Sequence, residues 1–326
     1  MKAVVVVRPG GPEQLELHEV PDPQPGPGEV VIAIEATALN RADIGQREGN
    51  YPPPPGAPPY PGLECACVIA RVGEGVTRWR PGQRVMALLG GGGYAEQVVV
   101  PQETVMEVPD SLSLREAAAI PEAWLTAYSN MIEIGRLAAG ERVLIHAGAS
   151  GVGTAAIQLA KRRGAFVFST ASAGKVAQVE RLGADVVIDY GRYNFAERIA
   201  ELTGGAGVDL IVDFIGAAYW HDNLRALAPW GRLVLVGLLG GAKTDVNLGL
   251  FLAKKLTVSG STLRDRTVEQ KGRLVEAFTR EVLPGFADGT FAPVIDPRSF
   301  TLEQIADAHR YMESNQNVGK VIVTVR

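Results

Sequence analysis

From Arg142 onward the chain repeats one pattern: a short apolar run, a turn, then an amphipathic run. "RVLIHA" leads to "VGTAAIQLAKRRG", "FVFSTA" to "GKVAQVERLG", and "DVVIDY" to "NFAERIAELTG". "GVDLIVDFIG" is followed by "HDNLRALAP", then by "GRLVLVGLL" and "LTVSGSTL". Strands apolar on both faces, separated by helices, form a parallel sheet covered on two sides. About six strands in this order predict an α/β, doubly wound parallel-sheet domain of the nucleotide-binding kind.

The first turn of that series sharpens the expectation. In "HAGASGVGTAAIQLAK", His146 to Lys161, the glycines Gly148, Gly151 and Gly153 lie between an apolar strand and a helix. Glycines there either make a turn or let the backbone approach a phosphate. The strand before, the helix after and the alternation that follows supply the setting a dinucleotide needs. Ser150 offers a hydroxyl to the phosphate or a cap to the helix, and Val152 sits in the same turn. His146, beside the loop, reads as a packed residue or one that supports the loop from behind.

The next strand bears on which dinucleotide. An NAD-selective site ends this strand in an acid that binds the ribose 2′-hydroxyl. Here the strand ends "STASAGK", with Ala171 and Ser172 where an acid is expected and Lys175 just beyond. Small residues, a hydroxyl and a cation suit a 2′-phosphate, which a carboxylate would repel. NADPH is the expected cofactor, with a solvated Lys175 at a helix start as the alternative.

The first third has another texture. "KAVVVV", "QLELHEV", "EVVIAIEATAL", "CACVIARVG", "QRVMAL" and "YAEQVVV" are short strands broken by Gly and Pro, the pattern of a small β-barrel or sandwich. "GNYPPPPGAPPYPG" should be a stiff, extended loop. "LREAAAIPEAWLTAYSNMIEIG" reads as helix, and the last strand, "GKVIVTV", returns to the texture of the beginning. With 326 residues, more than one core is expected. The predicted division is 1–118 with 266–326 as one domain and 119–265 as the nucleotide-binding domain.

Composition excludes other classes. A formal charge of −4 provides no basic field for nucleic acid. No run approaches the roughly 20 apolar residues of a membrane span. The two cysteines, Cys65 and Cys67, are poorly spaced for a disulfide and read as small buried residues of one strand face. A reduced, cytoplasmic protein is expected.

Together, "ALNRADIGQREGNYPPP", "PGLE", "AAAIPEAWLTAY" and "HAGASGVGTAAIQLAK" resemble the zinc-independent quinone oxidoreductases of the medium-chain dehydrogenase/reductase superfamily, in their zeta-crystallin-like branch. The resemblance covers essentially the whole chain. It implies a chaperonin-10-like β-barrel catalytic domain built from both chain ends, a Rossmann domain, NADPH and a homodimer with "LTVSGSTL" at its edge. It also implies that Asn40 and Tyr51 flank the nicotinamide, with Asn40 donating to the nicotinamide or substrate carbonyl. Tyr51 could instead only anchor the proline loop. By the same resemblance Thr126 lies near the nicotinamide ribose and Tyr190 near the adenine. Phe214, Gly216, Gly237 and Leu238 line the crevice, and Lys320 belongs to the cofactor-binding set. Arg264 would touch cofactor or substrate, or form an intersubunit salt bridge.

Where zinc-dependent relatives place Cys, His and Cys, this chain has Asn40, Leu63 and, nearby, Glu122, so no metal is expected. Hydride added to a simple ketone builds a strongly basic alkoxide, which a metal would stabilise. A quinone instead becomes a phenolate-like oxygen with a pKa of roughly 10, and an enone spreads charge over an enolate. The sequence therefore points to an NADPH-dependent quinone reductase. An enoyl or alkenal reductase is the alternative, and a non-catalytic NADPH-binding structural or nucleic-acid-binding protein a third reading.

Overall fold

The computed structural model describes residues 1–325. The chain forms two compact units, Met1–Leu125 with Leu263–Arg326, and Thr126–Thr262.

The second unit is built on a six-stranded sheet, every strand parallel to its neighbours. From edge to edge its strands are Val186–Asp189, Phe166–Ala171, Arg142–Ile145, Val208–Asp213, Leu227–Leu235 and Thr257–Gly260. In chain order that is 3-2-1-4-5-6, the doubly wound arrangement the alternation predicts. Leu144, Phe168, Ile188, Ile211 and Leu233, one from each of five strands, are buried in one core with Trp220 and Leu224. Each such side chain contributes on the order of 2 kcal/mol when fully buried. The order of winding reverses between the parallel strands Arg142–Ile145 and Val208–Asp213, so loops at the carboxyl ends of these two strands diverge there and leave a crevice.

The first unit holds a seven-stranded sheet. Its central strand, Glu29–Ala38, pairs antiparallel with Glu64–Val72, Gln97–Pro101 and the terminal strand Lys320–Thr324. The chain thus returns at its end to the texture of its beginning. Cys65 and Cys67 are buried with Ile32, Ile34 and Val85. Burial pushes the Cys65 thiol well above its usual range.

Two details differ from expectation. The run from Leu114 is three pieces rather than one helix: Leu114–Ala117, Pro121–Tyr128 and a wider-turned π-helix, Ser129–Ile134. Pro121 has no N–H to donate and starts a new helix. The unit boundaries also lie a few residues from the change in texture. Trp124 packs edge-on against Phe286 and Phe291, with ring centres 4.6 and 5.2 Å away, which keeps most of this helix with the first unit. At the other end Arg264 is tied by hydrogen bonds to Gly90, Tyr51 and Gln46, so the segment re-enters the first unit slightly earlier than expected.

Candidate active site

In the second unit the glycine loop is shaped by contact, not only by freedom of φ. A Cβ on Gly148 would lie 2.0 Å from Ser169 Oγ, and one on Gly153 2.3 Å from Ala147 O. Only glycine lets the turn lie this close to the neighbouring strand and to itself. Ala147 holds φ at +50°, left-handed backbone that a non-glycine residue adopts at a cost of about 1–2 kcal/mol. The helix Gly151–Arg162 follows. Ser150 caps it, its Oγ accepting from Gly153 N at 3.0 Å.

The amides of Gly151 and Val152 donate to no acceptor among the described residues. Two free N–H groups at a positive helix end form an anion site. The loop therefore fits a dinucleotide pyrophosphate.

The strand Phe166–Ala171 ends in buried Ala171, and no carboxylate follows it. Ser172 precedes a single 3-10 turn, Ala173–Lys175, and its hydroxyl makes no capping bond. Tyr190 N donates to Ala171 O at 3.2 Å, which brings the exposed Tyr190 ring beside this strand end. At the next strand end, buried Asp213 accepts from Ile215 N at 2.7 Å and Gly216 N at 3.1 Å. It fixes the turn holding Phe214 and Gly216. A Cβ on Gly237 would lie 3.0 Å from Phe214 O, so the two strand-end segments touch, with Leu238 exposed beyond them.

His146 is fully buried behind the loop, one ring nitrogen 3.0 Å from Thr170 Oγ1 and the other 2.7 Å from Asn223 Oδ1. Burial lowers its pKa, in keeping with a supporting role. Thr126 is buried at the start of this unit, its carbonyl accepting from Asn130 Nδ2 at 2.8 Å while its hydroxyl makes no hydrogen bond among the described residues.

In the first unit the predicted residues join a buried network that the sequence did not disclose. Asn40 precedes the helix Arg41–Arg47, and its backbone N–H donates to Asp43 at 2.8 Å. Its side chain turns inward. The amide donates to Glu64 Oε1 at 2.9 Å and to Ala38 O at 3.2 Å, and its oxygen accepts from Lys320 Nζ at 2.6 Å. An ammonium only donates, so the atom facing Lys320 must be the amide oxygen. Both amide hydrogens are thus committed within the protein, and donation to a nicotinamide or substrate carbonyl would require one of these bonds to break.

Lys320 Nζ donates to Leu39 O and Asn40 Oδ1 and forms an ion pair with Glu64 Oε1 at 2.7 Å. The ammonium is held in the interior of this unit. Glu64 is fully buried, and its other oxygen accepts from Glu122 N at 2.9 Å. Behind Asn40, Asp43 also accepts from Tyr94 Oη at 2.8 Å and Gly62 N at 3.0 Å. Burial nevertheless pushes Asp43 up to about 6. Glu122 is raised further, to about 8, first by burial and then by the charge of Glu64.

Tyr51 opens the proline-rich loop. The Arg264 guanidinium lies 5.2 Å from its ring centre, and Arg264 Nη1 donates to Tyr51 O at 2.9 Å. The same guanidinium donates to Gly90 O at 2.8 Å and Gln46 Oε1 at 2.5 Å. All three nitrogens are engaged within the unit, so Arg264 is a clamp on Tyr51, with two of its five N–H groups left over by these bonds. The Tyr51 hydroxyl itself makes no hydrogen bond among the described residues. Among the described residues, no three His, Cys, Asp or Glu side chains are grouped to hold a metal ion.

Comparison with known proteins agrees with this architecture. Residues 26–110 match the alcohol dehydrogenase GroES-like domain, and residues 151–278 match the family described as zinc-binding dehydrogenase. A quinone oxidoreductase of Pseudomonas aeruginosa is 34% identical over 317 residues, covering 96% of both chains. The chain is a medium-chain dehydrogenase/reductase. It belongs to the zinc-independent, quinone-oxidoreductase-like group of that superfamily.

Other relatives differ in kind. A phenolphthiocerol/phthiocerol polyketide synthase of Mycobacterium tuberculosis is 35% identical over 320 residues, and this chain spans 14% of its length. The synaptic vesicle membrane protein VAT-1 homolog of Rattus norvegicus is 33% identical, covering 99% of this chain and 84% of that one. Among solved structures, mycobacterial Rv1454c complexed with NADPH superposes with a TM-score of 0.91 at 31% identity over both full chains. The JamJ enoyl reductase superposes with a TM-score of 0.89 at 28% identity, covering 100% of this chain and 99% of that one. No helix among the described residues is long and apolar enough to cross a membrane.

Proposed function

We propose that this protein is an NADPH-dependent, zinc-independent quinone oxidoreductase. The observation that carries the reading is the glycine loop with two free amides at a capped helix start, beside a strand end that lacks an acid. Gly148 to Gly153 would hold the pyrophosphate, and Ala171, Ser172 and Lys175 the 2′-phosphate ribose. Tyr190 would flank the adenine, Thr126 would offer its hydroxyl to the nicotinamide ribose, and the segments of Phe214, Gly216, Gly237 and Leu238 would line the crevice. NADPH supplies the hydride.

The protein's own contribution is placement and exclusion of water, the effects that dominate when a flat acceptor has to meet a hydride donor. Tyr51, held by Arg264, offers a rigid aromatic wall to a planar ring. Asn40 and Lys320 keep the floor of the first unit fixed. Asn40, Leu63 and Glu122 stand where zinc relatives carry ligands, which favours acceptors whose reduced oxygen is already stabilised by conjugation.

A second reading, an enoyl or alkenal reductase, is favoured by the JamJ likeness and shares the cofactor. The edge strand Thr257–Gly260 is proposed as the pairing edge of a homodimer. The reading of Tyr51 is tested by Tyr51→Ala, which should lower quinone turnover at least tenfold (~1.4 kcal/mol) while NADPH binds unchanged. Unaltered turnover would remove Tyr51 from the site.

A further inference from the structure

Glu122 and Glu64 are neighbours with unequal surroundings. Glu64 is sealed from solvent and held as a carboxylate acceptor by the Lys320 ammonium, the Asn40 amide and the backbone of Glu122 itself. The Glu122 carboxyl makes no hydrogen bond among the described residues and is partly open to solvent. The Glu64 carboxylate lies 2.9 Å from the Glu122 backbone nitrogen, so a second negative charge on Glu122 is costly, and its carboxyl, with no partner to offset that charge, keeps its proton. A carboxylic acid with an uncommitted O–H at a solvent-reaching surface is a proton donor lacking only an acceptor.

We propose that Glu122 is the proton donor of the reaction, passing the proton of its carboxyl group to the oxyanion left on the acceptor after hydride transfer. The inference rests on the reductase reading above. The acceptor gains a hydride from NADPH, which leaves as NADP⁺, and one conjugated oxygen of the acceptor takes the negative charge. That oxygen forms a new O–H bond as the Glu122 O–H bond breaks. The resulting carboxylate is reprotonated by water before the next turnover.

The groups around Glu122 support this role. Burial first, then the charges of Glu64 and Asp43, favour the protonated form, and Lys320 and Lys271 oppose it. The outcome, a carboxyl that titrates at about 8, suits a general acid working near neutrality. Its proton is more acidic than that of a phenol-like product, at roughly 10, so transfer runs downhill.

Two measurements test the proposal, one independent of turnover. Difference infrared spectra of the protein without substrate, wild type against Glu122→Gln, should contain a protonated-carboxyl band that disappears with a midpoint near pH 8. A spectrum lacking that band at neutral pH would overturn the proposal. In steady-state assays with NADPH, Glu122→Gln should lower kcat roughly tenfold with a 1,4-quinone and roughly a hundredfold with a simple enone, whose enolate is more basic. NADPH affinity, followed by nucleotide fluorescence, should not change.

Wild-type kcat should fall above about pH 8, a limb that Glu122→Asp retains and Glu122→Gln loses. Wild-type turnover left unaltered in Glu122→Gln would refute the role of Glu122 and leave the reductase reading intact. Absence of turnover with either acceptor in the wild type would overturn both.

Discussion

Lys320 Nζ and Glu64 Oε1 lie 2.7 Å apart, with side-chain exposures of 5% and 0%. The two residues are joined through Asn40, whose amide oxygen meets the lysine and whose amide hydrogen meets the glutamate. This buried pair ties the terminal strand Lys320–Thr324 to the strand Glu64–Val72 across the central strand of the first unit.

Removing one partner leaves the other charged and buried. Lys320→Met should therefore destabilise the protein by about 3–5 kcal/mol, read as a lower urea midpoint. The double variant Lys320→Met with Glu64→Leu should recover much of that loss, because no uncompensated charge remains. A single variant within about 1 kcal/mol of wild type would mean that the pair is not an organising contact.

Arg264 grips three acceptors with a planar fork, a geometry lysine cannot copy. Arg264→Lys should loosen Tyr51 and the following prolines, raising amide exchange at Tyr51 and Gly92 and increasing KM for the acceptor several-fold. NADPH affinity should hold. Amide exchange identical to wild type would show that the loop is anchored by other contacts.

Cofactor choice should respond to charge at the end of the strand Phe166–Ala171. Lys175→Ala should weaken NADPH binding about tenfold, ~1.4 kcal/mol, and leave NADH binding nearly unaltered. Ala171→Asp should go further, repelling the 2′-phosphate and offering the ribose hydroxyls an acceptor. Equal effects on the two nucleotides would argue for a general structural role of Lys175.

His309 predicts a pH dependence of stability. It is fully buried, one ring nitrogen 3.3 Å from Arg47 Nη1, and burial with the Arg47 charge lowers its pKa to about 3. An unfolded histidine titrates at about 6.5. Between those values the unfolded chain binds the proton and the native protein does not, so stability falls as pH drops from about 6.5 towards about 3. His309→Gln should flatten that slope relative to wild type in denaturation midpoints measured across this range. Parallel curves for the two proteins would contradict the assignment.

The second unit is largely legible in the sequence, because its information is local. Six apolar runs alternating with amphipathic ones specify a parallel sheet, and Gly148, Ser150 and Gly153 have spacing that only one kind of turn needs. The first unit's interior is not. Asn40, Glu64, Glu122 and Lys320 are polar residues far apart in the chain, and no periodicity announces that they meet. Lys320 at the start of an apolar strand is visible, but its partner Asn40 lies 280 residues away. Arg264 reaches Tyr51 across 213 positions, so its role as a clamp is equally hidden. After Leu114, helical propensity outweighs in the sequence the break that Pro121 imposes, so the run reads as one helix where the structure has three.

The central claim is that NADPH reduces quinones on this protein without a metal. The most direct measurement is NADPH oxidation by the purified protein with 1,2- and 1,4-quinones and a simple enone, with and without a chelator, and with NADH in parallel. The predicted result is chelator-insensitive turnover that is faster with quinones than with the enone and prefers NADPH over NADH. Turnover of the enone alone would give the assignment to the second reading, and tight NADPH binding with no turnover of any acceptor would contradict an enzymatic function.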